Sequence, residues 1–284
     1  MPVKSREFLV FPLRVLRALR YCFFYLLVTT CTQAQTFRAW SSGANDANGT
    51  NISTGSLGNA AAGELCACCV SAFTTADAVS SVTATGNTTG WARLSGSRVT
   101  SAGTGFIEIW YKENLAAATA MTVTANFSSA QSYRRIMCGR YSGMASLSAA
   151  DVAATGSGNS NAPDTANLTT TQANELLMAC AVMATTTTYS SWNLATLTGT
   201  ERGEAGSDSG YADANATATF TDDANVTASA SGDWLITFGT FKASGGAPLP
   251  AKRRVTIISR PLQGLEPRHL PLARGPGQAR LAPI

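Results

Sequence analysis

Leu65-Cys66-Ala67-Cys68-Cys69-Val70 and Leu176-Leu177-Met178-Ala179-Cys180-Ala181-Val182 are the two stretches on which the fold turns, because neither contains a polar position. An element that is apolar all round has protein on both sides, so each run is either a central strand between two layers or a buried helix. The flanking Gly63 and the Thr185–Thr188 tract select strands, since glycine and β-branched residues are poor helix formers.

Working outward, further β-prone runs stand at Thr36–Ser41, Gly105–Lys112, Met121–Phe127, Tyr133–Tyr141 and Asp233–Lys242, and the two apolar runs extend over Glu64–Phe73 and Glu175–Ala184. Asn48-Gly49, Ser95-Gly96, Ser142-Gly143, Gly156-Ser157-Gly158 and Ser231-Gly232-Asp233 supply turn chemistry between them. Short strands spaced in this way predict an all-β fold, a two-sheet antiparallel β-sandwich of jelly-roll-like form over residues 35–243. No internal repeat is legible, which argues against a solenoid or propeller. Within Gly105–Lys112, the register that turns Ile107, Ile109 and Tyr111 inward leaves Glu108 in water. The opposite register buries Glu108, at a cost of several kcal/mol unless a cation such as Arg134 or Arg135 meets it.

Charge divides the chain into three. The whole carries +4, but residues 1–34 hold five basic and one acidic group, residues 244–284 hold seven and one, and residues 35–243 hold nine and fifteen. The β region is therefore mildly acidic and lacks the basic surface that nucleic-acid affinity requires. Residues 1–34 run from a basic stretch (Lys4, Arg6, Arg14, Arg17, Arg20) through an apolar one (Tyr21–Val28) to small or polar residues ending at Ala34. That is the order of a secretory signal peptide, and a mis-called start is the alternative. The apolar run is too short for a stable membrane span. A lipidated Cys31 is a weaker option because Thr30 precedes it. Seven of the ten prolines lie between Pro248 and Pro283, so residues 244–284 read as a Pro/Arg-rich flexible tail with at most a short strand at Arg254–Ser259.

Of the seven cysteines, Cys22 and Cys31 lie in the leader, and Cys66, Cys68, Cys69, Cys138 and Cys180 sit in strand interiors. Free buried thiols are the plain expectation, one disulfide such as Cys138–Cys180 the next, and a metal site the last. Cys66 and Cys69 have the spacing of half a zinc site. No second pair matches it, and within a strand the two point to opposite faces. No cofactor and no metal are expected. Seven Asn-x-Ser/Thr triplets occur, at Asn48, Asn51, Asn87, Asn126, Asn167, Asn215 and Asn225, as a chain rich in Asn and Thr produces by chance.

Residues 35–243 contain no histidine, which excludes Ser-His-Asp and Cys-His machinery there. Paired carboxylates remain as a route to polysaccharide hydrolysis. The densest acidic stretch, Glu201, Glu204, Asp208, Asp213, Asp222 and Asp223, reads first as a solvated loop, then as a calcium site, and last as a catalytic pair. Trp91, Tyr189, Trp192 and Tyr211 lie in or beside loops and are the candidate ligand-binding residues, where an exposed ring can stack on a sugar; core packing is the ordinary fate of such rings.

Taken in order, six segments resemble a β-sandwich domain of phage tail-fibre, minor tail and bacterial surface proteins. They are Glu64-Leu65, the run Gly105-Phe106-Ile107-Glu108-Ile109-Trp110-Tyr111-Lys112, Arg140-Tyr141-Ser142-Gly143, Glu175-Leu176-Leu177, Thr200-Glu201-Arg202, and Gly232-Asp233-Trp234-Leu235-Ile236. The family usually opens the first of these strands with Gly-Asp, where this chain has Gly63-Glu64. The resemblance implies a jelly-roll-like sandwich with a structural or adhesive role on a virion or cell surface, and it carries over no catalytic residue. The expectation is thus a non-enzymatic surface domain, virion-associated or secreted, whose partners are surface glycans or other virion and surface proteins. A carbohydrate-binding module and a polysaccharide hydrolase are the alternatives.

Overall fold

The computed structural model describes residues 35–245, so the expectations for the leader, the tail, Cys22, Cys31 and Arg254–Ser259 lie outside the described residues. The two apolar runs form strands at the centres of two antiparallel sheets, and the chain lays down the same plan around each. In the first half the strands are β1 (Thr36–Asn45), β2 (Gly49–Ser53), β3 (Leu65–Ala72), β4 (Val79–Ala84), β5 (Ala92–Arg93), β6 (Val99–Ser101), β7 (Gly105–Lys112), β8 (Val123–Gln131) and β9 (Arg134–Ser142). In the second half they are β10 (Ala150–Ser160), β11 (Leu168–Thr169), β12 (Glu175–Met183), β13 (Tyr189–Leu194), β14 (Leu197–Thr198), β15 (Thr200–Ala205), β16 (Ser209–Ala216), β17 (Thr221–Asp222), β18 (Ala224–Ala228) and β19 (Gly232–Lys242).

The first large sheet runs β1-β9-β3-β7-β5, with β6 also on β7, and the second runs β10-β19-β12-β16-β15. Each is faced by a small sheet, β2-β8-β4 and β14-β13-β18 respectively, and β11 pairs with β17. In the first half most connections cross between the large and the small sheet, whereas in the second fewer do, β13–β14 and β15–β16 staying within one sheet. The all-β antiparallel class read from the sequence is therefore the architecture, with one correction: residues 35–243 hold not a single two-sheet sandwich but two, one in each half of the chain.

Three apolar layers show how the sheets stack. Val70, Cys66 and Ile136 of the first large sheet pack on Ile52, Val82, Val123 and Phe127 of its small sheet. Leu177, Ala179 and Ile236 of the second pack on Tyr189, Trp192, Leu194 and Val226. Between them the other faces of both large sheets meet, with Leu65, Ile107, Ile109 and Met137 against Leu176, Met178, Leu235 and Phe241. That middle layer is why both runs lack polar positions: each central strand has an apolar neighbour on either side. At about 1.5–3 kcal/mol for each large side chain fully buried, the seam between the sandwiches is as strong as either interior.

The repeat is invisible as sequence yet close as geometry. Leu65 pairs with Tyr141, and Leu176 pairs with Phe241, at the same place in the ladder. Gly43 opposite Ile136 matches Gly156 opposite Ile236, and a Cβ on either glycine would strike a backbone carbonyl oxygen, of Ser53 or Asp164. The β1–β9 and β10–β19 ladders also carry a bulge at the same point. Four positions away from the equivalent leucines lie Cys69 and Cys180, whose side chains both enter the seam and form a disulfide.

Two expectations change here. Cys138 bonds to Cys68, not to Cys180, because Cys68 stands directly opposite it on β3 while Cys180 lies beyond the other face of that sheet. Of the five β-region cysteines only Cys66 stays a free thiol, and burial pushes its pKa far up. Glu108 is not in water. It is buried beside Phe106, and its cations are Arg93 at 3.1 Å and Arg98 at 2.9 Å, not Arg134 or Arg135.

Candidate functional site

At one end of the seam the strands of both sandwiches part, leaving a cavity of about 520 Å³. Its walls are the end of β3 with Phe73, the start of β9 with Tyr133 and Arg135, the end of β12, and the β15–β16 turn with Ser207 and Asp208. Arg135 is the fixed point. Its Nε donates to Asp208 Oδ1 and its Nη2 to Asp208 Oδ2, both at 2.7 Å, and the same Nη2 lies 2.7 Å from Asp46 Oδ1. Burial opposes the guanidinium charge, but the two carboxylates outweigh it and hold the pKa above its ordinary value. The β15–β16 turn can hold Asp208 there because residue 206 is glycine. Its φ is 68°, and a Cβ would come within 2.6 Å of Arg135 Nε.

Over this triad stands an aromatic pair. Phe73 and Tyr133 are 50% and 52% exposed, with ring centroids 6.1 Å apart in an edge-on arrangement at 71°. Tyr133 adopts a left-handed backbone with φ of 48°, unusual for a bulky residue, which marks the turn between β8 and β9 as strained. Only one other large apolar side chain among the described residues is as exposed, Leu147, and it lies outside this cavity.

The four aromatic residues named from the sequence are elsewhere. Trp91 is half-buried against the first sandwich core, and its Nε1 donates to the Asn87 carbonyl at 2.9 Å. Trp192 is buried in the second core with its ring tilted on Tyr189, centroids 5.6 Å apart. Tyr211 is buried in the seam, where its hydroxyl meets that of Tyr141 at 2.5 Å. Tyr189 is buried too, but its hydroxyl donates to the Asp208 carbonyl at 2.7 Å, so it supports the cavity from beneath. None of Tyr189, Trp192 and Tyr211 offers a face to a ligand, because alternate residues of β13 and β16 point inward and these rings fill the interior. Phe73 and Tyr133 were missed as ligand residues because each ends an apolar run and reads as its last or first core position.

The acidic stretch is not a solvated loop. Glu201 and Glu204 lie on β15, Asp208 holds Arg135, and Asp213 is buried and clamped by Arg202 at 2.8 and 2.6 Å. Asp213 also accepts from the Tyr141 hydroxyl at 2.6 Å. Burial pushes the Tyr141 and Tyr211 hydroxyls well up, so both remain donors at the closed end of the seam. Among the described residues, Cys66, Cys68 and Cys138 have three sulfur atoms close enough to share a metal, but two of them are joined as a disulfide. No protein-family model matches the chain, and no curated protein matches it.

Proposed function

We propose that the chain is a non-catalytic binding protein of the structural or adhesive kind, working on a virion or outside the cell, and that the cavity at the open end of the seam takes a surface glycan. The observation that carries this reading is the exposed Phe73–Tyr133 pair above the Arg135 triad. Aromatic faces bind the apolar side of a sugar ring, while a guanidinium and carboxylates held in fixed positions suit its hydroxyls. The non-catalytic part is supported by the cavity's carboxylates. Asp46 and Asp208 are both engaged by one guanidinium and do not face each other across an open gap. Two disulfides favour an oxidising compartment, in line with secretion or a virion.

A glycan-array screen of the full chain tests the proposal. Binding is expected to fall about thirtyfold on Tyr133→Ala or Phe73→Ala, the roughly 2 kcal/mol of an aromatic anchor. Trp91→Phe is expected to leave it unchanged. Binding that survives both cavity variants refutes this location, and release of reducing ends by the pure protein refutes the non-catalytic reading.

A further inference from the structure

Three neighbouring strands of the second large sheet bring a lysine and two carboxyl groups together at one buried point. Lys242 near the end of β19 stands directly opposite Glu175, the first residue of β12. Asp151 lies in the bulge of β10, on the other side of β19. Lys242 Nζ is 3.1 Å from Asp151 Oδ1, with side-chain exposures of 27% and 1%. The Thr171 backbone N–H donates to Asp151 Oδ2 at 2.8 Å, and the Thr171 hydroxyl donates to Oδ1. Glu175 is fully buried, with Asp151, Thr240 and the Gln172 backbone around its carboxyl group, none of them close enough to saturate it.

We propose that Lys242 and Asp151 condense to an intramolecular amide that cross-links β19 to β10, with Glu175 relaying the proton. The ion pair first collapses to neutral amine and carboxylic acid as one proton passes from Nζ to Oδ1. The Nζ lone pair then attacks Cγ, the C–N bond forms, and the carbonyl electrons move onto Oδ2, where the Thr171 N–H receives them as an oxyanion donor would. Glu175 protonates the hydroxyl on Cγ, the C–O bond breaks, and water leaves. The resulting Glu175 carboxylate takes a proton from nitrogen and returns to its starting state. One ammonium and one carboxylate have become one amide and one water, with no oxidant, activator or co-reactant.

Three features favour closure. Well-oriented intramolecular reactants reach effective concentrations on the order of 10⁵–10⁸ M, and a lysine held 3.1 Å from the carboxylate gains part of that advantage against the unfavourable condensation of an amine and an acid in water. Burial penalises the ion pair and not the neutral amide. Glu175 carries the proton the step requires, because burial and the neighbouring Asp151 charge push its pKa up to about 8. Asp151 itself is held below the ordinary carboxylate range, since the Thr171 donors with Glu175 and Lys242 outweigh its burial; it starts as the carboxylate, and the proton for the first step has to come from Lys242 Nζ.

Mass spectrometry of the full chain, reduced and denatured after purification, tests the proposal. The wild-type protein is expected to be one water lighter than its sequence requires, and digestion is expected to give a branched peptide joining Lys242 to Asp151. Lys242→Arg keeps the charge but cannot close, and is expected at full mass. Glu175→Gln is expected to remain mostly uncondensed. Linear Lys242 and Asp151 peptides from folded wild-type protein overturn the cross-link, whatever the variants do. A missing water that persists in Lys242→Arg places the dehydration elsewhere and overturns it too. A Glu175→Gln protein that folds and closes as the wild type does removes the relay.

Discussion

Glu64 and Glu175 hold the same place in two sandwiches of one plan, each opening the central strand of its large sheet, and their surroundings are opposite. Around Glu64 stand two arginines: Arg140, which donates to its carboxylate, and Arg38 at 3.8 Å. Arg38 in turn donates to Ser142 at 2.9 Å. The ladder registers put Asp151, Thr240 and Lys242 in the second half where Arg38, Arg140 and Ser142 stand in the first. The second half has neither arginine at those places; it has an acid in place of Arg38, a threonine in place of Arg140 and a lysine in place of Ser142. The backbone plan is fixed by contacts that cannot change, such as Gly43 and Gly156 against carbonyl oxygens. The polar groups at the strand ends are not so fixed. One half has a glutamate paired with two arginines, and the other a glutamate beside a lysine–aspartate ion pair.

The comparison breaks most visibly at Arg140. Arg140→Leu leaves Glu64 buried without its closest cation and is expected to destabilise the protein by about 3–5 kcal/mol. Thr240→Val at the matching position is expected to lose about 1 kcal/mol. Urea unfolding of the two variants measures the difference, and equal effects mean that Glu64 does not depend on Arg140.

The disulfides differ in what they join. Cys69–Cys180 links the two sandwiches and closes 111 residues, while Cys68–Cys138 lies within one ladder and closes 70. Replacing either pair with alanine is expected to cost about 2–4 kcal/mol, the seam pair about 0.4 kcal/mol more on loop length alone. If the seam pair proves clearly cheaper, packing and not the covalent link holds the halves together.

The pH response separates the two glutamates further. In the Lys242→Arg background the ion pair with Asp151 cannot close. In the chain with its Lys242–Asp151 ion pair unreacted, burial and the Asp151 charge push the Glu175 pKa up to about 8 against an ordinary 4.5, and the arginine variant is expected to keep those surroundings. Its neutral form is the one the fold favours, so its contribution is fully present below about pH 4.5, falls as pH rises through 8, and is constant above that. Stability is therefore expected to decline with rising pH across that window and to level off on either side. Adding Glu175→Gln is expected to flatten the profile and raise stability at pH 8. A thermal or urea profile that keeps its slope in that double variant assigns the effect to another group.

How much of this could be read from the sequence follows from the same contrast. The runs at 65–70 and 176–182 announce two covered strands because every position is apolar, and they fall where β3 and β12 are. The strands β10, β15 and β16 did not show, since Ala-Gly-Ser-Thr-Asn sequences such as 150–160 have small side chains that fit a sheet or a loop equally well. The repeated plan stayed hidden for a related reason: the halves share glycines and ladder positions, not side-chain chemistry. The site was missed because it forms at one end of the seam between the two sandwiches, where residues far apart in the chain, such as Phe73, Tyr133, Arg135 and Asp208, come together.

The smallest effect is expected just before the two glutamates, where both halves need a left-handed residue. Gly63 has φ of 86° and Asn174 has φ of 60°, and each leads into an equivalent Glu-Leu pair. A Cβ at residue 63 would meet nothing within 4 Å, so Gly63→Ala meets only the backbone penalty, about 1–2 kcal/mol. Asparagine already tolerates this conformation, so Asn174→Gly is expected to change stability by less than about 0.5 kcal/mol. If Gly63→Asn then restores most of what Gly63→Ala loses, the two turns are interchangeable in backbone terms. The divergence of the halves then lies in the side chains around the glutamates, not in how the chain arrives at them.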